Sequence, residues 1–446
     1  MVRLLLAAAL TFPQPIRAAD VEPTFRHEPL KKLLEDLKDK DVMVRRQAAI
    51  TLGMPDGSEG KGGPRPRGDL WPAMLGLVNA QDDKDMQVRA NAMRSLGLLM
   101  RYRGVVEKMD ERFEKVTLAA IAALKDPEDL VKTAAAGALP LIGIESKKAL
   151  DALQEVLKHD DAKVRAAAAD GSKGVRPITD IVPALADRVS DQEPTVRLAA
   201  VNTLIFARVE AAGALKPLIA ALRDESDKVA NSAAVALGGI GPGAAAAVPA
   251  LVDVSYDAKS PIRPAAVTAI GMIHLQHEIA IPALIGALSR DETRSNAISA
   301  LSAFGESAKD ALPALMAVSR DEKGSVRTDA LYVLSVMDPG GASFFELLFA
   351  ALHDSNPNLR NIAINYFGRG QSYPEALPLL VTLFKSDPPM RNRIAYAFGA
   401  MGAEAKPVVP MLMEMIGDQQ TSQPLRRVLI NAVNAIDPSI LKPPGM

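Results

Sequence analysis

The stretch DQEPTVRLAAVNTLIFA, residues 191–207, decides the fold. With Arg197 as position zero, apolar residues fall at −1 (Val196), +3 (Ala200), +4 (Val201) and +7 (Leu204). Those spacings make one stripe on a helix of 3.6 residues per turn, whereas a strand needs a period of two. The same phrase returns along the chain, with its basic position or equivalent at Arg45, Arg89, Lys132, Arg165, Arg197, Ala230, Arg263, Arg294, Arg327, Arg360, Arg391 and Arg426. From the third copy onward the period is near 33 residues, enough for two helices of three to four turns and two short turns.

The stripe holds across the copies. Position −1 is apolar except at Thr293, position +3 is Ala in the first ten copies, and position +7 is apolar except at Ser172. An apolar helix precedes each stripe and often opens with proline, as at Pro183, Pro217, Pro249, Pro282, Pro313, Pro378 and Pro410. Proline suits a first turn because its missing N–H has no helical partner there. Gly97, Gly143, Gly241, Gly305 and Gly402 read as C-terminal stops. Asp126-Pro127 and Asn356-Pro357 read as an N-cap followed by the first helical residue.

Position zero itself lies inside the apolar arc, between −1 and +4. A charge there is poorly solvated and needs a partner. The repeated Asp about six residues earlier, in the turn between the two helices, is the expected one, and a stack of such units lets each Arg reach the next turn's Asp as well. The repeated charge therefore reads as a structural ladder.

Composition agrees with packed helices. Apolar residues make up 48% and aromatics only 4%, so the core is built of Ala, Leu and Val. A net charge of −1 gives no overall basic excess for nucleic acid. The chain has no Cys, which excludes disulfides, thiolate zinc sites and cysteine nucleophiles.

Residues 1–19 read as a signal peptide: Arg3, then an apolar run from Leu4 to Phe12, then Ala18-Ala19. Export to the periplasm or outside the cell is the expectation, with a cytoplasmic protein as the alternative. No later run of uninterrupted apolar residues is long enough to span a bilayer. Residues 20–440 form one repeat domain, with a flexible insertion at 53–69 and a disordered tail at 441–446. Arg67-Gly68-Asp69 within the insertion matches an integrin-ligand tripeptide, a match that chance also supplies.

The phrase Asp-x-x-x-x-Val-Arg-x-x-Ala-x-x-x-Leu-Gly resembles the HEAT repeat family, in particular the phycobilisome-lyase-like subgroup, over about residues 30–440. The resemblance implies an all-α, right-handed α-solenoid of about a dozen hairpins, with the second helices lining a concave surface that binds proteins. Ala230 in the basic slot and the short turn before Arg294 depart from the pattern.

Chemistry is hard to nominate. His27-Glu28 and His277-Glu278 echo the iron-holding pairs of HEAT-like deoxyhypusine hydroxylases, but they stand 250 residues apart and metal ligands must converge. HEAT-like DNA glycosylases need a basic, aromatic groove, and Trp71 is the single tryptophan. No catalytic, cofactor or metal residue is named, and nothing indicates a homo-oligomer. Positions +1, +2, +5 and +9 point away from the stripe. In the last four copies they bring Tyr332, Asn361, Asn365, Arg369, Asn392, Arg393, Tyr396, Arg427 and Asn431 to one ridge, a composition that favours protein partners. The expected function is a non-enzymatic scaffold. The alternative is a HEAT-like enzyme or lyase accessory factor that binds a small cofactor or metal.

Overall fold

The computed structural model describes residues 23–56, 69–100, 111–321, 324–337, 342–369 and 373–440. Residues 1–19, expected as a signal peptide, residues 441–446, expected as a tail, and most of the expected insertion at 53–69 lie outside these residues. The chain divides into two compact units, 1–243 and 244–446.

Each unit is a stack of six helical hairpins. The first holds α1 (Leu30–Asp36) with α2 (Val42–Thr51), α3 (Trp71–Asn79) with α4 (Met86–Leu99), and α5 (Glu111–Ala123) with α6 (Asp129–Ile142). It continues with α7 (Lys147–Val156) and α8 (Ala162–Gly171), α9 (Val182–Arg188) and α10 (Pro194–Ala207), and α11 (Leu215–Ala221) and α12 (Asp227–Ile240). The second unit holds α13 (Val248–Tyr256) with α14 (Arg263–Ile273), α15 (His277–Leu288) with α16 (Asp291–Phe304), and α17 (Leu312–Asp321) with α18 (Gly324–Met337). Its last three pairs are α19 (Ala342–Leu352) and α20 (Pro357–Phe367), α21 (Leu377–Ser386) and α22 (Arg391–Met401), and α23 (Val409–Gly417) and α24 (Gln423–Ile436). Among the described residues the one sheet is a pair of two-residue strands, β1 (Thr24–Phe25) and β2 (Glu28–Pro29). Phe25 there is fully buried, and it bridges Pro55, so the start of the insertion is tied to the N-terminal strands.

Within each unit even-numbered helices pack on even-numbered neighbours and odd on odd, giving two layers. The stripe explains this. Val88, Ala92, Met93 and Leu96 of α4 have no exposure at all, nor do Val196, Ala200, Val201 and Leu204 of α10. Burying each Val or Leu contributes about 1.5–3 kcal/mol, and a lone hairpin has no surface against which to do so. The two polar exceptions are buried too, with their hydroxyls satisfied. Ser172 Oγ donates to the Ala168 carbonyl at 2.8 Å, and Thr293 Oγ1 to that of Ala287 at 2.7 Å.

Three local expectations are corrected. Pro282 does not open its helix, because α15 starts a turn earlier at His277. Asp126 is not a helix cap: α6 begins at Asp129, and the Asp126 carboxylate takes the Glu128 N–H at 2.9 Å. Asn356 does cap α20, accepting from the Asn358 N–H. Gly97 is not a stop, since it lies inside α4, where a Cβ would come 3.1 Å from the Ala138 Cα of α6. It is there because the next even helix passes close by.

Gly271 of α14 shows that close approach most sharply, since a Cβ there would lie 2.7 Å from the Ala300 Cα of α16. We expect Gly271→Ala to force the helices apart and cost about 1–3 kcal/mol. Gly137→Ala in α6, where nothing lies within 4 Å, should instead stabilise by roughly 0.5–1 kcal/mol through helix propensity. Denaturant midpoints of the two variants should move in opposite directions.

Candidate binding surface

The repeated basic residue must be placed before any free surface can be identified. Arg197 of α10 is typical. Its Nε and Nη2 donate to the two carboxylate oxygens of Asp224, in the next hairpin's turn, at 2.7 and 2.9 Å. Its Nη1 donates to the carbonyls of Asp191 and Gln192, in its own turn, both at 3.0 Å. Arg45 binds Asp83, Arg89 binds Asp126 and Arg165 binds Asp191 in the same way in the first unit. In the second unit Arg263 reaches Glu292, Arg327 reaches Asp354 and Arg360 reaches Asp387.

This corrects the expected pairing, because the own-turn partner is backbone and the carboxylate belongs to the following hairpin. The cause is that each Asp carboxylate is already committed inside its turn. Asp191 accepts the Glu193 N–H, Asp224 the Ser226 N–H and Asp354 the Asn356 N–H. That geometry points the carboxylate back toward the preceding hairpin and leaves only carbonyls facing its own Arg.

The ladder changes at four places. Ala230 supplies no cation. Arg294 pairs with Asp291 three residues earlier and donates to the Leu288 carbonyl. Arg391 donates to the carbonyls of Phe384 and Lys385. Lys132, 4% exposed, donates to the Pro127 carbonyl and to Asp129, while the slot its rung would use holds His159, whose Nδ1 accepts the Asp161 N–H.

Electrostatics follow the geometry. Burial would push the Asp83, Asp126 and Asp191 carboxyls up, yet the facing guanidiniums of Arg45, Arg89 and Arg165, with the turn N–H groups, hold all three below the ordinary value. A second bridge between α2 and α4, Arg46 to Asp85 at 2.6 Å, holds Asp85 down to about 2. Burial and carboxylates thus account for the repeated charge as a matter of architecture.

The free face of the even helices remains. Asn365, Arg369, Asn392, Arg393, Arg427 and Asn431 are exposed, Asn361 is half-buried, and Tyr332 and Tyr396 are 56% and 62% exposed. These residues lie on α18, α20, α22 and α24, which pack side by side, and Arg369 follows the end of α20. Arg369 is the member already engaged: it donates to the Ser335 carbonyl and lies 5.3 Å over the Tyr366 ring. Val336, 52% exposed, joins Tyr332 on α18.

Tyr366 belongs to a cluster that the low aromatic content hid. Phe344, Phe345, Phe349, Tyr366, Phe367 and Tyr373 pack ring on ring at 5.2–6.4 Å around α19 and α20. The signal was local, in SFFELLFAAL (343–352) and NYF (365–367).

In the first unit the same face carries small residues, and a groove of about 560 Å³ opens over α6, α8 and the start of α10. Ala136, Gly137, Ala166 and Ala167 line it, with Lys132, Lys163, Lys173, Asp129 and Asp170 around them. Both aspartates are bridged, Asp129 by Lys132 and Lys163 and Asp170 by Lys173.

His27 lies 3.6 Å from Asp56 beside the N-terminal strands, and the His277 ring packs edge-on against Phe304 at 5.3 Å. No three His, Asp or Glu side chains gather in a metal-holding group among the described residues. Trp71 opens α3, with its backbone N–H donating to the Asp69 carboxylate and the Arg112 guanidinium 5.7 Å from its ring.

A model of HEAT repeats matches residues 74–173, 182–271, 248–335 and 345–434, well over half of the chain. The chain belongs to the HEAT repeat family. Among curated proteins none matches the sequence. Similar solved structures include one described as Kap95p binding to RanGDP (13% identity, TM-score 0.64, 92% of this chain and 61% of that one). Others are a Kap95:Nup1 complex (13%, 0.57, 91% and 62%) and yeast importin-beta, Kap95p (14%, 0.52, 91% and 61%). At this identity the likeness is one of fold. The chain spans about three fifths of the length of these structures.

The bridged carboxyls set a pH dependence. Their folded values lie below the ordinary 3.8, so their stabilisation is complete above that pH and is lost as pH falls through the folded values. Thermal midpoints should therefore hold down to about pH 4 and drop steeply toward pH 2. Asp85→Asn should lower the midpoint at neutral pH and flatten that acid limb.

Proposed function

We propose that the chain is a non-enzymatic scaffold that holds protein partners on the free face of its even-numbered helices. One observation carries the reading. Tyr332, Val336 and Tyr396 stand 52–62% exposed on that face, although Ala330, Leu331 and Leu334 of α18 and Ile394, Ala395 and Phe398 of α22 beneath them are buried. The stack makes no use of these side chains, and Tyr and Arg beside amide side chains are what interface cores are made of. The polar rim of Asn365, Asn392, Arg393, Arg427 and Asn431 supplies directional hydrogen bonds around them. A row of shallow contacts over several hairpins suits a solenoid, whose binding surface is extended and not a pocket. The similar folds described with RanGDP and with Nup1 support a protein as the partner class.

A second reading, capture of a small cofactor, rests on the groove over α6 and α8, whose volume lies within the range of ligand pockets. A visible absorbance band in the purified protein, lost when Gly137→Leu fills the groove, would favour it.

The scaffold reading is tested by affinity capture from cells with the wild-type chain and with Tyr332→Ala/Tyr396→Ala, each recovered partner being rebound in purified form. Both tyrosines are exposed, so the melting midpoint should change little, by an equivalent of about 0.5 kcal/mol or less. Affinity for the partner should fall about tenfold or more. Unchanged affinity in the double variant would remove this face from consideration.

A further inference from the structure

Four described helices end in one backbone conformation, and three of the four use glycine for it. Eleven positions after the basic slot, α12, α16 and α22 end on Gly241, Gly305 and Gly402, with φ of 71°, 52° and 59° and ψ of −140°, −129° and −134°. Helix α10 ends at the same position with the same backbone, φ 55° and ψ −123°, but the residue is Arg208. That region is open to glycine and strained for every residue with a Cβ.

The departure extends to its neighbours. Two positions before the slot the sister hairpins carry Gly239, Ala303 and Ala400, whereas this one carries Phe206. One position after it they carry Pro242, Glu306 and Ala403, whereas this one carries Val209. Phe206 is 53% exposed and Val209 62% exposed. The Arg208 side chain is exposed and makes no hydrogen bond or ion pair among the described residues. The helix dipole does favour a cation at a C-terminus. A Lys or Arg one turn earlier would gain the same benefit on unstrained backbone, so the dipole does not explain the choice of this slot.

The neighbouring hairpin adds a second cation at the same register. Arg176 stands eleven positions after Arg165, is exposed, and spends one nitrogen on its own segment's carbonyls. Helices α8 and α10 pack directly together, and Arg176 and Arg208 hold the same register position in these two adjacent hairpins. Glu210 is the carboxylate that follows on this segment.

We propose that Phe206, Arg208 and Val209 form an anchor that docks an acidic segment of a protein partner, the guanidinium taking a carboxylate and the two apolar side chains taking a bulky apolar neighbour of it. The occupant follows from the uncommitted Arg208 guanidinium together with two exposed apolar side chains within two residues of it in the sequence. The inference rests on the scaffold reading and names a site in the first unit that the ridge of the second does not contain.

The test pans a random displayed-peptide library on the full chain and measures the enriched peptides, synthesised with a fluorescent label, by polarisation. Enriched sequences should place Asp or Glu beside a bulky apolar residue. Phe206→Ala and Arg208→Glu should each weaken them about tenfold or more. Arg208→Gly should raise the unfolding midpoint, because it relieves the strained backbone, and still weaken binding. A merely structural arginine would not lose binding while stability rises. Enriched peptides without acidic residues, or undiminished affinity in Phe206→Ala and Arg208→Glu, would overturn the anchor. Tyr332→Ala/Tyr396→Ala should leave these peptides bound. That variant reads out the second unit alone, so failure of the anchor leaves the scaffold reading standing.

Discussion

A two-helix hairpin with an apolar stripe has nowhere to bury it but against another copy of itself. That constraint governs the rest of the structure. It sets the two layers of each unit, it requires Gly or Ala where even helices cross, and it puts a cation in a place where water cannot serve it. The Arg–Asp rung is the consequence of the stripe and not its cause. In an intact rung such as that of Arg197 the guanidinium sits in the apolar arc and is held on both sides, by carbonyls of its own turn and by the carboxylate of the next. Where the slot holds Ala230 the stripe is just as deeply buried, with Val229, Ala233 and Leu237 at zero or near-zero exposure. The stripe therefore buries without a rung, and the rung is what satisfies a cation where the slot holds one.

The fold was legible because it is written many times over. A stripe seen once at residues 191–207 is ambiguous in principle, but twelve copies, the last ten at one period, leave a single architecture, and the described residues hold twelve hairpins at those places. What could not be read was which of two equally spaced partners each arginine takes. The spacing places an Asp within reach in its own turn and another in the next, and the answer depends on turn hydrogen bonds such as that from Glu193 N–H to Asp191. Glycine was ambiguous for a similar reason. Gly97 and Gly241 look alike in sequence, yet one lets a helix pass and the other ends a helix at positive φ. The candidate ridge was legible as a set of outward positions. Its details were not, since Arg369 is tied to the Ser335 carbonyl and to Tyr366 by a fold-back after the helix that no periodicity encodes.

The free faces of the two units differ in kind. In the first, small residues leave a groove over α6 and α8, and larger groups are held to its margins. In the second, tyrosines and amides stand up from the surface. A concave recess and a raised polar row demand different complements, so the same repeat presents two distinct vocabularies to whatever it meets. The tyrosines and amides of the second unit stand at positions the stack does not need, where substitutions change recognition at little thermodynamic cost.

The turn aspartate has one more consequence. Because it faces backward while the arginine of the same hairpin faces forward, every intact module carries a plug on one side and a socket on the other, of matching shape along the row. Excising a module, or copying one in tandem, leaves the flanking modules with complementary ends and no orphaned charge. Such a chain can lengthen or shorten by whole-unit duplication and loss without redesign at the seam.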